Sequence, residues 1–266
     1  MKVKALIITG FGLNCEKETS KAFEYVGAEP EQVHLNDLID GKKELKDYHI
    51  LAFIGGFSFG DHLGAGTVFA NKIKYNLKDQ LQQFIDDGKL IIGICNGFQT
   101  ITRLGLVPAR NGHYFTQEVA LTNNDSNNFI DDWVYLKTNP TTNCVFTKGL
   151  DVIRLPIRHG EGKFVADPIL VEDIFDQIVF FYGNKEGWIM DFHPENPNGS
   201  VSAIAGICDP TGRIFGLMPH PEAFLSPLNA PDWQDKKLKG ELPKEGEGVI
   251  IFRNAVDFAK ENLINI

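Results

Sequence analysis

The sequence has little of what marks a secreted, membrane-bound or nucleic-acid-binding chain. Its 266 residues include only four cysteines, at positions 15, 95, 144 and 208. None forms a CxxC pair and their density is far below that of a disulfide scaffold, which suits a reducing cytoplasm and gives no sign of a zinc site. Long hydrophobic runs are also missing. The longest, such as Leu90 to Ile94 and Ile50 to Ile54, fall far short of the roughly 20 residues of a membrane span. MKVKALIITG enters a strand pattern at once, with no leader pattern before it, so a cytoplasmic location is expected. Lys and Arg number 26 against 35 Asp and Glu, for a net charge of −9. With no long basic run, neither nucleic acid nor an anionic membrane is expected as a partner. Neither GxGxxG nor GxxxxGK[ST] occurs, so no phosphate loop is expected in this chain.

What remains is 43% hydrophobic, enough for a substantial core in one large α/β domain spanning 1–266. Strand-like and helix-like segments alternate up to Gly105: Lys2 to Thr9, a helix with Thr19, Ala22, Phe23 and Val26 on one face, Val33 to Leu35, His49 to Ile54, a helical stripe over Asn71 to Asp87, and Leu90 to Ile94. This order predicts a doubly wound, mostly parallel sheet flanked by helices. Short β-like runs at Glu118 to Leu121, Trp133 to Leu136 and Val152 to Leu155, then a hairpin over Ala203 to Cys208 and Ile214 to Met218, predict a small antiparallel extension. Val249 to Leu263 reads as a closing helix. Leu225 to Gly248, rich in Pro, Lys, Glu and Gly, reads as a long surface loop.

In such sheets, sites lie at the carboxyl ends of the strands. Three segments occupy that position: Gly10 to Cys15, GGFSFGD at 55 to 61, and Cys95. The G-x-C-x-G of 93 to 97 has the form of a nucleophile elbow carrying cysteine. Gly93 and Gly97 permit a tight corner, and a helix N-terminus favours the anionic form of a sulfur placed there. Taken alone, the motif fits a buried structural cysteine equally well. A nucleophile needs a base and a group that orients the base. MPHPE at 218 to 222 supplies His220 and Glu222 on a rigid loop after an apolar strand, where a carboxylate can hold one imidazole nitrogen. Acyl chemistry also needs backbone N–H donors for an oxyanion, and Gly56 and Asn96 are the candidates.

Elbow, GG turn and HPE together resemble the class I, triad-type glutamine amidotransferases. FGLNCEKET at 11 to 19, GGFSFGD, GICNGFQ at 93 to 99, PIRHGEGKF at 156 to 164, NPNGS at 196 to 200, AGICDPTGRIFGLMPHPE at 205 to 222 and GVIIFRNAV at 248 to 256 are similar to the glutaminase subunits of phosphoribosylformylglycinamidine synthases. The resemblance implies a flavodoxin-like fold. It also implies catalysis by Cys95, His220 and Glu222, and a place near the bound glutamine for Gln99; His159, Glu161 and Arg158 are the further candidates for binding the substrate's α-amino and carboxylate groups. Cys15 and Cys208 would be structural.

The reaction implied is hydrolysis of L-glutamine through a cysteine thioester. Ammonia would pass to a large synthetase subunit, assisted by a small bridging subunit, for purine biosynthesis. ATP and Mg²⁺ would bind the synthetase, leaving no cofactor and no metal in this chain. The competing expectation is a stand-alone cysteine hydrolase, of peptidase or deglycase type, on a similar sheet. Ile54 before the glycine pair and Ala223 after Glu222 depart from the family's usual proline and arginine, and neither is a triad position.

Overall fold

Segments of Ile, Leu, Val and Phe bounded by glycine or polar turns bury both faces most readily as inner strands of a parallel sheet. In the computed structural model, which describes residues 2–264, they do so. The elements in chain order begin with β1 (Lys4–Thr9), α1 (Glu16–Tyr25), β2 (Glu29–His34), α2 (Leu35–Ile39) and β3 (Ile50–Phe53). Next come α3 (Thr67–Asn76), α4 (Lys78–Asp86), β4 (Leu90–Ile94) and α5 (Asn96–Leu104). The middle of the chain adds β5 (Ala120–Thr122), β6 (Ile130–Thr138), β7 (Val152–His159), β8 (Lys163–Val165), α6 (Pro168–Asp173) and β9 (Ile178–Gly183). The last elements are β10 (Ile204–Cys208), β11 (Ile214–Leu217), α7 (Trp233–Lys239) and α8 (Val249–Asn262).

A nine-stranded sheet runs in the order β2-β1-β3-β4-β11-β10-β9-β6-β7, beside a two-stranded β5-β8 sheet. The pairs from β2 to β11 are parallel, and those from β11 to β7 are antiparallel. This is the expected doubly wound sheet with its antiparallel extension. The core runs continuously along it: β3 and β4 are buried throughout, and α1 and α8 pack together through the edge-to-face pair Phe23 and Phe252.

The structure differs from the sequence reading at four places. The stripe over 71 to 87 is two helices, broken at Leu77, whose φ of −127° leaves the helical range. The break escapes periodicity because Ile73, Leu77, Leu81 and Phe84 all face the same core. The second strand is the polar Glu29–His34 rather than Val33 to Leu35, and Leu35 opens a short helix that His34 caps. As an edge strand it pairs on one side only, so it needs no apolar run. The buried strand Ile178–Gly183 is absent from the strands read above. Finally, the 225–248 segment is largely exposed but carries α7 and a capped turn at Pro227–Asn229.

Candidate active site

Four adjacent parallel strands, β1, β3, β4 and β11, end on the same side of the sheet. The segments that follow them converge over those ends. Asn14 and Cys15 follow β1, Gly56 and Phe57 follow β3, Cys95 follows β4 and His220 follows β11; together with Arg158 of β7 and Phe129 they line a cavity of about 130 Å³. The winding reverses between β1 and β3, which is where doubly wound sheets open a crevice.

Cys95 sits on the corner between β4 and α5 with φ 53° and ψ −108°, a conformation that costs a non-glycine residue of order 1–3 kcal/mol. Surrounding packing holds it there. Its N–H donates to the Leu217 carbonyl at 2.9 Å, and its own carbonyl accepts from the Gln99 N–H at 3.0 Å. The flanking glycines are required by close approach. A Cβ on Gly97 would stand 1.9 Å from the Phe53 carbonyl oxygen, and one on Gly93 would stand 2.8 Å from that of Gly97. The sulfur is held near the Arg158 carbonyl, to which it donates at 3.6 Å.

The two prolines around His220 keep it out of regular structure, and its N–H is anchored to the Pro156 carbonyl at 2.8 Å. Glu222 follows on a 3-10 turn. Its Oε1 lies 2.5 Å from His220 Nδ1, with both side chains almost fully buried. Burial alone would push the imidazole down, but the Glu222 carboxylate beside it, with the Cys95 and Cys15 sulfurs, outweighs burial and holds its pKa well above the ordinary histidine value. With Nδ1 engaged, Nε2 is buried without a hydrogen-bond partner and is the nitrogen left to exchange a proton.

Gly56 has φ 140°, and a Cβ there would meet Leu13 Cα at 2.6 Å and Asn14 N at 2.8 Å. Its place in the cavity wall therefore depends on having no side chain. Asn96 is the first residue of α5, so its N–H has no acceptor within the helix. Its buried side chain donates to Asp61 at 3.1 Å and to Gln99 Oε1 at 3.0 Å, fixing the turn that presents that N–H.

The three residues expected to bind substrate stand behind this wall rather than in it. Gln99 accepts from Asn96 and donates to the Glu161 carbonyl at 2.5 Å, so both ends of its amide are occupied. The Glu161 carboxylate accepts from the Ala65 N–H at 3.2 Å. His159 pairs through Nδ1 with Asn124 Oδ1 at 3.0 Å; burial, reinforced by the nearby His220 charge, pushes its pKa down to about 3. Asn124 also accepts from the Gly162 N–H, and Asn198 donates to the Gly162 carbonyl. HGEG and NPNGS thus form a brace that fixes the loop beside the elbow.

Arg158 does reach the cavity, with its side chain half exposed at the rim. Cys15, expected to be structural, also lines it, and burial pushes its thiol pKa up although the neighbouring His220 opposes this. The signal for Cys15 was its position just after the first strand. Phe57 and Phe129, 48% and 53% exposed with ring centroids 6.3 Å apart, form an aromatic lip at the mouth; Phe57 belongs to GGFSFGD, whereas no motif announced Phe129.

Known proteins are similar to this chain over nearly its whole length. The CobB/CobQ-like glutamine amidotransferase domain matches residues 2–259. This chain belongs to that glutamine amidotransferase family. The amidotransferase is 48% identical to the phosphoribosylformylglycinamidine synthase subunit PurQ of Methanococcus maripaludis, over 96% of this chain and 97% of that protein. It is 44% identical to the PurQ subunit of Dehalococcoides mccartyi, over 98% and 99% of the two chains. A chain of the solved PurLQS structure from Thermotoga maritima superposes on the amidotransferase with a TM-score of 0.71 and 32% identity, covering 97% of this chain and 99% of that one.

Proposed function

We propose that this amidotransferase is the glutaminase subunit of a phosphoribosylformylglycinamidine synthase, hydrolysing L-glutamine to glutamate and ammonia. Near-full-length identity to PurQ subunits supports the assignment. The observation that carries the chemistry is a strained elbow cysteine facing one cavity with a histidine whose second nitrogen is held by a buried carboxylate.

In the mechanism we assign, His220 Nε2 takes the Cys95 thiol proton and the resulting thiolate attacks the side-chain carbonyl carbon of glutamine. Negative charge developing on the oxygen is met by the Gly56 and Asn96 N–H groups. His220 gives a proton from Nε2 to the departing nitrogen, and ammonia leaves. A γ-glutamyl thioester remains on Cys95. Water, deprotonated by His220, attacks the thioester carbon, and glutamate leaves as the sulfur recovers its charge. Glu222 holds Nδ1 throughout, so the same nitrogen serves both half-reactions. Arg158, half exposed at the rim, is assigned to the substrate α-carboxylate. The Gln99, His159 and Glu161 brace positions the wall against which the substrate lies.

Ammonia is useful to a synthetase only if it is delivered before protonation in bulk water, so this chain works docked to a large synthetase subunit and a small bridging subunit, as in PurLQS. The exposed Phe57 and Phe129 lip supports a mouth covered by a partner. ATP and Mg²⁺ are assigned to the synthetase, because no phosphate-loop motif occurs here. A cytoplasmic location is supported by four free cysteines, and no helix among the described residues is long and apolar enough to cross a membrane. Cys95→Ala should abolish ammonia release from glutamine in the assembled synthase while leaving synthesis from added ammonia intact. Glutamine-dependent turnover by Cys95→Ala at the wild-type rate would overturn the assignment.

A further inference from the structure

β7 is the last strand of the nine-stranded sheet, so one of its edges has no strand beside it. Such an edge presents N–H and C=O groups that something else must meet, and every second residue of the strand turns its groups to that side. Arg154, Pro156 and Arg158 are those residues. The Arg154 N–H donates to Glu247 Oε2 at 2.7 Å. The Pro156 carbonyl accepts from the His220 N–H at 2.8 Å, and the Arg158 carbonyl accepts from the Cys95 thiol at 3.6 Å. Base and nucleophile are thus registered against alternate residues of one strand edge. Pro156 suits this edge because it has no N–H to leave unpaired.

Glu247, the third group on that edge, has no role in the reaction as assigned, yet its two neighbours grip the segment that carries Glu222. The Gly248 N–H donates to the Phe224 carbonyl at 3.1 Å, and the Gly246 N–H donates to the Leu225 carbonyl at 2.9 Å. A Cβ on Gly248 would stand 2.0 Å from the Pro221 carbonyl oxygen, and one on Gly246 would stand 2.2 Å from that of Phe224. Pro221 and Phe224 bracket Glu222, so the 246–248 turn holds the backbone around the triad carboxylate while its middle residue is bonded to β7. The Phe224 ring also packs edge-on against Trp133 of β6 at 4.9 Å, and the Arg154 guanidinium lies 5.2 Å over the Trp133 ring. Arg253, in the GVIIFRNAV segment that Gly248 opens, holds Glu245 through contacts of 2.6 and 2.7 Å, which fixes the turn to α8.

We propose that Glu247 is a positioning residue for glutamine hydrolysis: its carboxylate fastens the 246–248 turn to the free edge of β7, so that Cys95, His220 and Glu222 keep one register. Glu247 touches neither the reacting atoms nor the cavity wall. A backbone N–H needs an acceptor at the right reach rather than a full charge, so the length of the side chain matters more than its ionisation. Misplacement of about 1 Å caused far from the chemistry costs about 10²-fold in rate. The inference rests on the roles assigned to Cys95, His220 and Glu222 above.

The test is steady-state kinetics of the assembled synthase, with glutamine and separately with ammonia, on variants shown by thermal melting to be folded. Glu247→Ala removes the acceptor and Glu247→Asp shortens its reach. Both should lower glutamine-dependent kcat by about 10- to 100-fold with KM changed by less than about twofold, the split expected when geometry for the transition state is lost and substrate binding is not. Glu247→Gln keeps the reach and an acceptor oxygen, and should stay within about threefold of the wild-type kcat. Ammonia-dependent turnover should be unchanged in all three. Asp232→Asn weakens the 3.1 Å contact to the Arg154 guanidinium but leaves the main-chain bond to Glu247, and should match wild type. Should Glu247→Ala fail to fold, the comparison of Glu247→Asp with Glu247→Gln decides. Wild-type kcat in folded Glu247→Asp, a change confined to KM, or an equal loss in Glu247→Gln or Asp232→Asn would overturn the positioning role. Cys95→Ala is assayed beside them: glutamine-dependent turnover that survives it refutes the reading of the reaction, whereas a Cys95-dependent enzyme indifferent to Glu247 refutes this inference alone.

Discussion

Glu222→Gln is the most informative single change, because it keeps the shape of the site and removes one charge. In the wild type a carboxylate oxygen lies 2.5 Å from Nδ1 of an imidazole, with the two side chains 1% and 3% exposed. Removing one member of such a buried pair outright costs about 3–5 kcal/mol. Glutamine can still accept from Nδ1–H through its amide oxygen, so a neutral bond worth about 1 kcal/mol replaces a charge-assisted one worth about 2 kcal/mol. The stability loss at neutral pH is therefore expected to be about 1–2 kcal/mol. Catalysis loses more. The amide can also turn its NH₂ toward Nδ1 and select the wrong tautomer, a fault that costs a serine triad on the order of 10⁴ in rate.

The change also has a definite pH signature. Burial depresses the imidazole and Glu222 overcomes it, so the wild-type folded pKa is raised. A raised histidine contributes stability that is fully present below its unfolded value of about 6.5 and is lost as pH rises through the folded value. Without the carboxylate the depressing effect of burial is less opposed, and this contribution shrinks. The stability difference between wild type and variant should therefore be largest near pH 6 and narrow toward pH 9. Urea denaturation across that range, with glutaminase rates in the assembled synthase, measures both. Parallel stability curves together with a rate loss below about tenfold would refute the role given to Glu222.

Gly56→Ala forces a Cβ against backbone atoms of Leu13 and Asn14 at 2.6 and 2.8 Å and at φ 140°; displacing that amide should lower kcat by about 10²–10³, with stability down by about 1–3 kcal/mol, read by steady-state kinetics and melting. Gly97→Ala places a Cβ 1.9 Å from the Phe53 carbonyl oxygen, so it should cost several kcal/mol, more than about 3 on the scale of severe core overpacking, and yield little folded protein in a solubility and melting assay. A Gly97→Ala chain as stable as wild type would contradict the packing account of the elbow.

Much of this was legible in the sequence, and the reasons for success and failure are physical. Leu90–Ile94 and Ile50–Phe53 announce themselves because an inner parallel strand must be apolar on both faces. Glu29–His34 does not, because an edge strand has one partner and can carry Glu and Gln. Ile178–Gly183 is apolar throughout, but a short apolar run without alternation is not distinguished from buried helix by periodicity. The elbow and MPHPE were readable because strain and proline leave local signatures. Gln99, His159 and Glu161 were readable as belonging near the site, but not as a brace, since that depends on Asn124 and Asn198, which come from distant loops. Cys15 follows a strand like the other site segments, yet only the order β1-β3-β4-β11 in the sheet brings it to His220.

The claim on which everything else depends is that Cys95 becomes acylated by glutamine. Acid quenching of the assembled synthase during turnover, followed by peptide mass spectrometry, measures it directly. A glutamyl adduct is expected on the peptide carrying Cys95, absent from those carrying Cys15, Cys144 and Cys208, and lost in Cys95→Ala. A glutamyl adduct on Cys15, or full glutamine-dependent turnover with no adduct on Cys95 under conditions that preserve a thioester, would contradict it.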